Sequence, residues 1–151
     1  NDPATKAFLD AVVPISNLTF TGRTSTLRSW GDINDTDTFW VSYYFNVKDA
    51  KAANAALDAY LASPVGKKFQ GQAYLVGIDA AGAGAPGAPN AAINVGWTSM
   101  AEMEAYNDAN ANDPDWLKFQ AAFEVAAPYL GTAMAVQVKA WGPATAKSFV
   151  K

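Results

Sequence analysis

One eight-residue pattern occurs twice, and its spacing limits what the chain can fold into. Residues 63–70 read S-P-V-G-K-K-F-Q and residues 113–120 read D-P-D-W-L-K-F-Q. Pro64 and Pro114, Lys68 and Lys118, Phe69 and Phe119, and Gln70 and Gln120 stand fifty positions apart. The offset holds upstream for Tyr43/Ile93, Phe45/Val95, Ala55/Ala105 and Ala59/Ala109. Downstream it grows to sixty, matching Gly71 to Gly131 and Val76 to Val136, so the second copy carries about ten extra residues at 121–130. Two copies of one unit in a chain of 151 residues point to a single domain with an internal two-fold.

Periodicity fills in the unit. Residues 38–47 alternate as a strand, with Phe39, Val41, Tyr43 and Phe45 on one face and Trp40, Ser42, Tyr44 and Asn46 on the other. Lys48-Asp49 caps an alanine-rich helix to about Ala62. Ser63-Pro64 opens a short second helix ending near Gln70, and Gly71 turns the chain into a strand at 72–79. In the second copy, 91–97 alternates as a strand and Ser99 with Glu102 forms an S-x-x-E capping box. Asp113-Pro114 caps the next helix, and 132–141 is the last strand. Ahead of both copies, Asp2-Pro3 begins a short amphipathic helix, and Leu18 to Trp30 reads as a strand that pairs on a sheet edge.

Strand, helix, short helix, strand, taken twice, gives an α+β fold with the ferredoxin-like order βαββαβ, its helices on one face of an antiparallel sheet. The expected helix-facing core is Phe39, Val41, Tyr43, Phe45, Ile93, Val95, Val136 and Val138. The opposite face is then expected to carry Trp40, Tyr44, Asn94, Gly96, Gln137 and Lys139, with Ala73, Leu75 and Gly77 beside them. The division is 1–37, an N-terminal helix and strand extension; 38–141, the repeat domain; and 142–151, a tail.

On this element order and the repeated S-P/D-P…K-F-Q segment, residues 38–141 resemble the dimeric α+β-barrel superfamily, which includes antibiotic-biosynthesis monooxygenase-like, stress-response barrel and NIPSNAP-like proteins; no family within it is singled out. The resemblance implies a homodimer whose two sheets close into a barrel, often around a small-molecule pocket. Cofactor-free oxygenases of that group work with Asn, Trp and Tyr side chains around an aromatic substrate.

Composition removes several classes of function. Cysteine and histidine are both absent, which excludes disulfides, thiol nucleophiles, Ser-His-Asp chemistry and histidine-ligated haem, so such chemistry does not carry over from relatives. Net charge is −3 with no basic block, so no nucleic-acid footprint is present, and no apolar run approaches a membrane span. No metal and no cofactor is expected. Residues 80–90 contain a G-x-G-x-x-G at Gly82, Gly84 and Gly87, but a dinucleotide fingerprint must open a helix, and here a strand follows. The acidic loops at 31–37 and 107–115 lack calcium-loop spacing.

The expectation is a small homodimeric protein that binds a small apolar ligand. The alternatives are a cofactor-independent monooxygenase or isomerase on an aromatic or polyketide-like substrate, and a structural or surface-assembly protein. The candidate ligand-binding residues are Trp40 and Tyr44 for stacking, Asn46 and Asn94 for a carbonyl, and Lys139 for an enolate. Packing against a partner sheet is the competing role for the two aromatics, and backbone satisfaction for the two asparagines. A chain opening on Asn1 without a signal peptide leads us to expect a matured secreted or periplasmic protein, with the cytoplasm as the other location.

Overall fold

A computed structural model describes residues 3–12, 22–31, 36–69, 71–80 and 88–136. In chain order these form α1 (Pro3–Val12), β1 (Gly22–Trp30), β2 (Phe39–Phe45), α2 (Ala50–Ala62), a 3-10 turn (Gly66–Lys68), β3 (Gln72–Ala80), β4 (Ala91–Trp97), α3 (Met100–Asn110), α4 (Pro114–Ala126) and β5 (Tyr129–Val136). The fold is α+β, and the strands make one antiparallel sheet in the order β1-β3-β4-β2-β5. The extra strand β1 extends the sheet beyond β3, so the sheet is not a simple βαββαβ.

The expected caps form. Asp49 accepts a hydrogen bond from the Ala52 amide at 2.9 Å. Asp113 accepts from the Asp115 and Trp116 amides at 2.8 and 3.2 Å, with Pro114 in the first turn of α4. Ser99 accepts from the Glu102 amide, but Glu102 reaches past it to the amide and hydroxyl of Thr98, at 2.8 and 2.6 Å. Each cap satisfies donors that a helix start leaves unpaired. The Pro64 segment falls short of the expected helix and closes only one 3-10 turn.

β2 and β4 are central neighbours, paired in register from Phe39↔Trp97 to Phe45↔Ala91. Their helix-side residues Val41, Phe45, Ile93 and Val95 pack with Leu57 and Tyr60 of α2 and Phe123 of α4 in the core. β3 runs in the opposite phase to the sequence expectation. Ala73 lies opposite Val95 and belongs to the core, and Leu75 packs against it. The other face of β3 therefore carries Gln72, Tyr74 and Val76. Side-chain direction has a strict period of two, so the residue at which the strand begins decides every later position.

The start of β3 is fixed by a close backbone crossing. A Cβ on Gly71 would lie 2.6 Å from the Gly96 carbonyl oxygen, and one on Gly31, whose φ is +80°, 1.8 Å from that of Gly71. Only glycine fits there. β1 carries a bulge at Leu27, which sits beside Gly77. β5 starts three residues earlier than expected, directly after α4, with Leu130 bulged between the Tyr129–Phe45 and Gly131–Tyr44 pairs. Met134 and Val136 share the helix-side face through their partners Val41 and Phe39, but are 56% and 64% exposed, because the helix layer does not cover this edge. Val138 lies outside the described residues.

Candidate functional site

The sheet has two faces, and the sequence-derived candidates fall on the one away from the helices. Trp40, Tyr44 and Asn94 alternate with core residues of β2 and β4 and share that face. Trp40 stacks on Tyr74 with ring centroids 6.0 Å apart. Gly96 does not leave open space above the sheet, as a glycine there suggests. A Cβ at that position would meet Gln72 Cγ and the Trp40 ring at 3.0 Å and Asp37 Oδ2 at 3.1 Å, so these side chains close over it. Tyr74 donates to Gln72 Oε1 at 2.9 Å, and its hydroxyl titrates high, first through burial and then through the nearby Asp37. Asn46 lies past the end of β2 and accepts from Asn90 Nδ2 at 3.5 Å. Asn90 also holds both backbone groups of Val47, at 2.7 and 3.0 Å. Lys139 lies outside the described residues, as do the glycines at 82–87. The described element after β3 is β4, its antiparallel neighbour.

The open volume lies on the other face, between sheet and helices. A cavity of about 580 Å³ has Tyr43, Ile93, Val95 and Trp97 as its floor. Leu57 and Tyr60 come from α2, Tyr106 from α3, and Trp116, Phe119 and Phe123 from α4. Phe69 and Trp30 complete an aromatic wall, and exposed Asn107, Gln120 and Glu124 also border the space. The rings are mutually fixed. Phe119 stacks on Tyr60 at 4.8 Å, and Phe69 stands edge-on to Trp97 at 5.7 Å and to Tyr106 at 5.9 Å. Such ring pairs are stiff and hold a shape.

Polar groups in this wall are few. The Tyr60 and Tyr106 hydroxyls hydrogen-bond to each other at 2.8 Å. Burial pushes both hydroxyls above the ordinary tyrosine value. For Tyr60 the bond to Tyr106 adds to the effect, while for Tyr106 the same bond opposes it. Trp97 is 5% exposed, and its indole Nε1 is buried with no hydrogen-bond partner among the described residues. Among the described residues Glu124 is the one charged residue in the wall, and its carboxylate accepts from the Tyr129 amide at 3.0 Å. Among the described residues no cluster of carboxylates could hold a metal ion, and no helix is long and apolar enough to cross a membrane.

Sequence reasoning missed this cavity because its lining is drawn from eight separate elements, β1 to β5 and α2 to α4. The available signal was the count of aromatics around the repeated K-F-Q segments: Tyr60, Phe69, Trp116, Phe119 and Phe123.

No family model matches the chain, and no curated protein is significantly similar to it in sequence. In overall shape it is similar to the solved structure of a major regulator of staphylococcal pathogenesis, at 10% sequence identity and a TM-score of 0.47, covering 92% of this chain and 96% of that one. A likeness at that level carries no argument about function.

Proposed function

We propose that this protein binds a small, largely apolar molecule in the cavity between its sheet and its helices. The observation that carries this reading is the 580 Å³ aromatic-walled volume. Protein interiors pack at crystal-like density and leave few voids larger than a water molecule. Ligand pockets occupy roughly 300–1,000 Å³ and are mostly apolar, with a few placed polar groups. Burial holds the tyrosine hydroxyls in their protonated form, so they offer hydrogen bonds rather than a base. The test is a titration with naphthalene, followed by the fluorescence of Trp30, Trp97 and Trp116, which line the space. Wild type should bind saturably and melt higher when loaded. Ala73→Leu, which fills the floor from a buried position, should abolish both effects. Saturable binding that survives Ala73→Leu unchanged, or no binding by wild type, overturns the reading.

The finer fold reading is ferredoxin-like. It is supported by the run β3-β4-β2-β5 inside the sheet and by the register of its centre. The fifty-residue offset maps Tyr43 on to Ile93, and those two residues are partners in the β2–β4 ladder, so a two-fold relating the copies passes between them. A homodimer through the helix-free face is the partner reading that goes with it, supported by half-buried Trp40 and Tyr74, which stack on that face, with Trp40 over Gly96. Sedimentation should show a wild-type dimer and a Trp40→Asp monomer, since a carboxylate loses its water in a closed interface. A wild type that is monomeric at high micromolar concentration removes this reading and leaves the cavity untouched.

A further inference from the structure

The cavity has a neighbour. A second space of about 290 Å³ is bordered by Ala50, Ala53 and Asn54 from the first half of α2 and by Leu75 and Ala91 from the sheet. Leu57 and Phe123 border both spaces. Along α2, Ala53 borders the smaller space, Leu57 both, and Tyr60 the larger. Residues three and four apart share one face of a helix, so the spaces follow one another along that face. The sheet beneath gives the same order. Gly77↔Ala91, Leu75↔Ile93 and Ala73↔Val95 are successive same-face pairs of the β3–β4 ladder. Ala91 and Leu75 border the smaller space, and Ile93, Ala73 and Val95 the larger. Helix and sheet thus agree that the two spaces lie end to end. Where they meet, Leu57 is 1% exposed and Phe123 5%, so both side chains are tightly packed.

We propose that Leu57 and Phe123 form a partition that sets the length of molecule the larger cavity accepts. This rests on the cavity being the binding site, and it adds the residues that choose among apolar ligands. With the partition closed, the cavity takes a compact ring system. A chain that projects from such a ring along α2 meets these two side chains and stops. Truncating Leu57 removes the branched end of a side chain at the junction, and such sites relax only in part, so space remains. The two volumes then join, and preference moves from compact to elongated apolar molecules.

The test is a series of 2-alkylnaphthalenes from methyl to octyl, titrated into wild type and Leu57→Ala. While the chain has room, each added methylene should tighten binding roughly four-fold. In wild type the gain should stop within the series. In Leu57→Ala it should run on into longer chains, raising the octyl-to-methyl affinity ratio at least roughly ten-fold. Adding Ala53→Leu to Leu57→Ala refills the smaller space and should restore the wild-type limit. Phe123→Leu shortens the other side of the partition while keeping an apolar side chain, and serves where Leu57→Ala does not fold. One measurement needs no variant. In wild type the Ile93 methyl signals should move in the nuclear magnetic resonance spectrum with every probe that binds, and the Ala53 methyl signal should stay in place even with the octyl probe. If methylnaphthalene binds wild type but the gain per methylene runs alike in wild type and the variants, or the octyl probe moves Ala53 in wild type, the partition is overturned and the cavity reading stands. If no member of the series binds wild type, the cavity reading falls, and the partition with it.

Discussion

Pro64 leads into one 3-10 turn, Gly66–Lys68, and then into the sheet, whereas Pro114 opens the thirteen residues of α4. Both segments carry K-F-Q. After Gln70 comes Gly71, set in a backbone crossing that admits no side chain. After Gln120 comes A-A-F-E-V-A-A, a run dominated by helix-compatible residues, and the chain continues for two more turns. Phe69 and Phe119 line the same cavity from equivalent places, but among the described residues only the second copy goes on, past the repeated segment, to supply Phe123 and the lining residues Ala121 and Glu124. The difference teaches how a repeat can acquire a site. The extra ten residues do not decorate a loop; they carry a helix across the sheet and enclose a volume that the first copy leaves uncovered.

The most damaging way to break the contrast is Phe123→Ala. Phe123 is 5% exposed and meets Phe45 edge-on at 5.0 Å. Its loss should cost about 3–5 kcal/mol in urea unfolding. A cost below about 1 kcal/mol would mean that α4 is not held by this residue.

Next comes the point where the first copy stops. Gly71→Ala should cost about 1–3 kcal/mol, because the carbonyl it meets is backbone and cannot swing aside. An unchanged melting temperature would show that the crossing is looser than described.

The caps give a smaller and sharper test. Asp113→Ala should cost about 1–2 kcal/mol, since it removes two accepted bonds and a charge at a helix start. Ser63 accepts from the Gly66 amide at 3.1 Å, and Ser63→Ala should cost only about 0.5 kcal/mol, because it caps a single turn. Equal losses would erase the distinction between the segments.

At neutral pH Tyr60→Phe should cost about 1 kcal/mol, for one hydrogen bond. Its signature lies at high pH. Burial, with the Tyr106 bond behind it, raises the Tyr60 value, so the folded state keeps its proton after the unfolded chain has lost one. That part of the stability is intact below about pH 10 and declines as pH rises further, by up to about 1.4 kcal/mol per pH unit for one such group. Tyr60→Phe should flatten the decline, as followed by unfolding at pH 9 to 11. An unaltered slope would place the hydroxyl in contact with water.

Much of the fold could be read from the chain because its signals are local. The alternation of β2, the bounds of β4 and the caps Asp49, Ser99 and Asp113 each depend on neighbours within a few residues. β3 could not be phased this way. Ala73 faces the core because Gly71 fixes where the strand starts, and that depends on Gly96 and Gly31, both distant in sequence. Trp97 has the same difficulty. Its sequence context reads as a strand end, and only the folded chain surrounds its indole with Phe69 and Tyr106 and leaves the nitrogen without a partner among the described residues.

The central ladder also bears on how fast the molecule assembles. β2 and β4 lie side by side at the middle of the sheet, yet their partner residues stand some fifty positions apart in the chain. β3 and β4 are consecutive and can zip as a hairpin, from the Gly77↔Ala91 pair outward. Closing β2 on to that hairpin must spend chain entropy over a long loop before any contact rewards it. Domains dominated by such distant pairings fold in roughly milliseconds to seconds, not microseconds. Until β2 arrives, Ile93 and Val95 have no partner strand on one side, so the slow step of folding is also the interval in which this chain is most exposed to its neighbours.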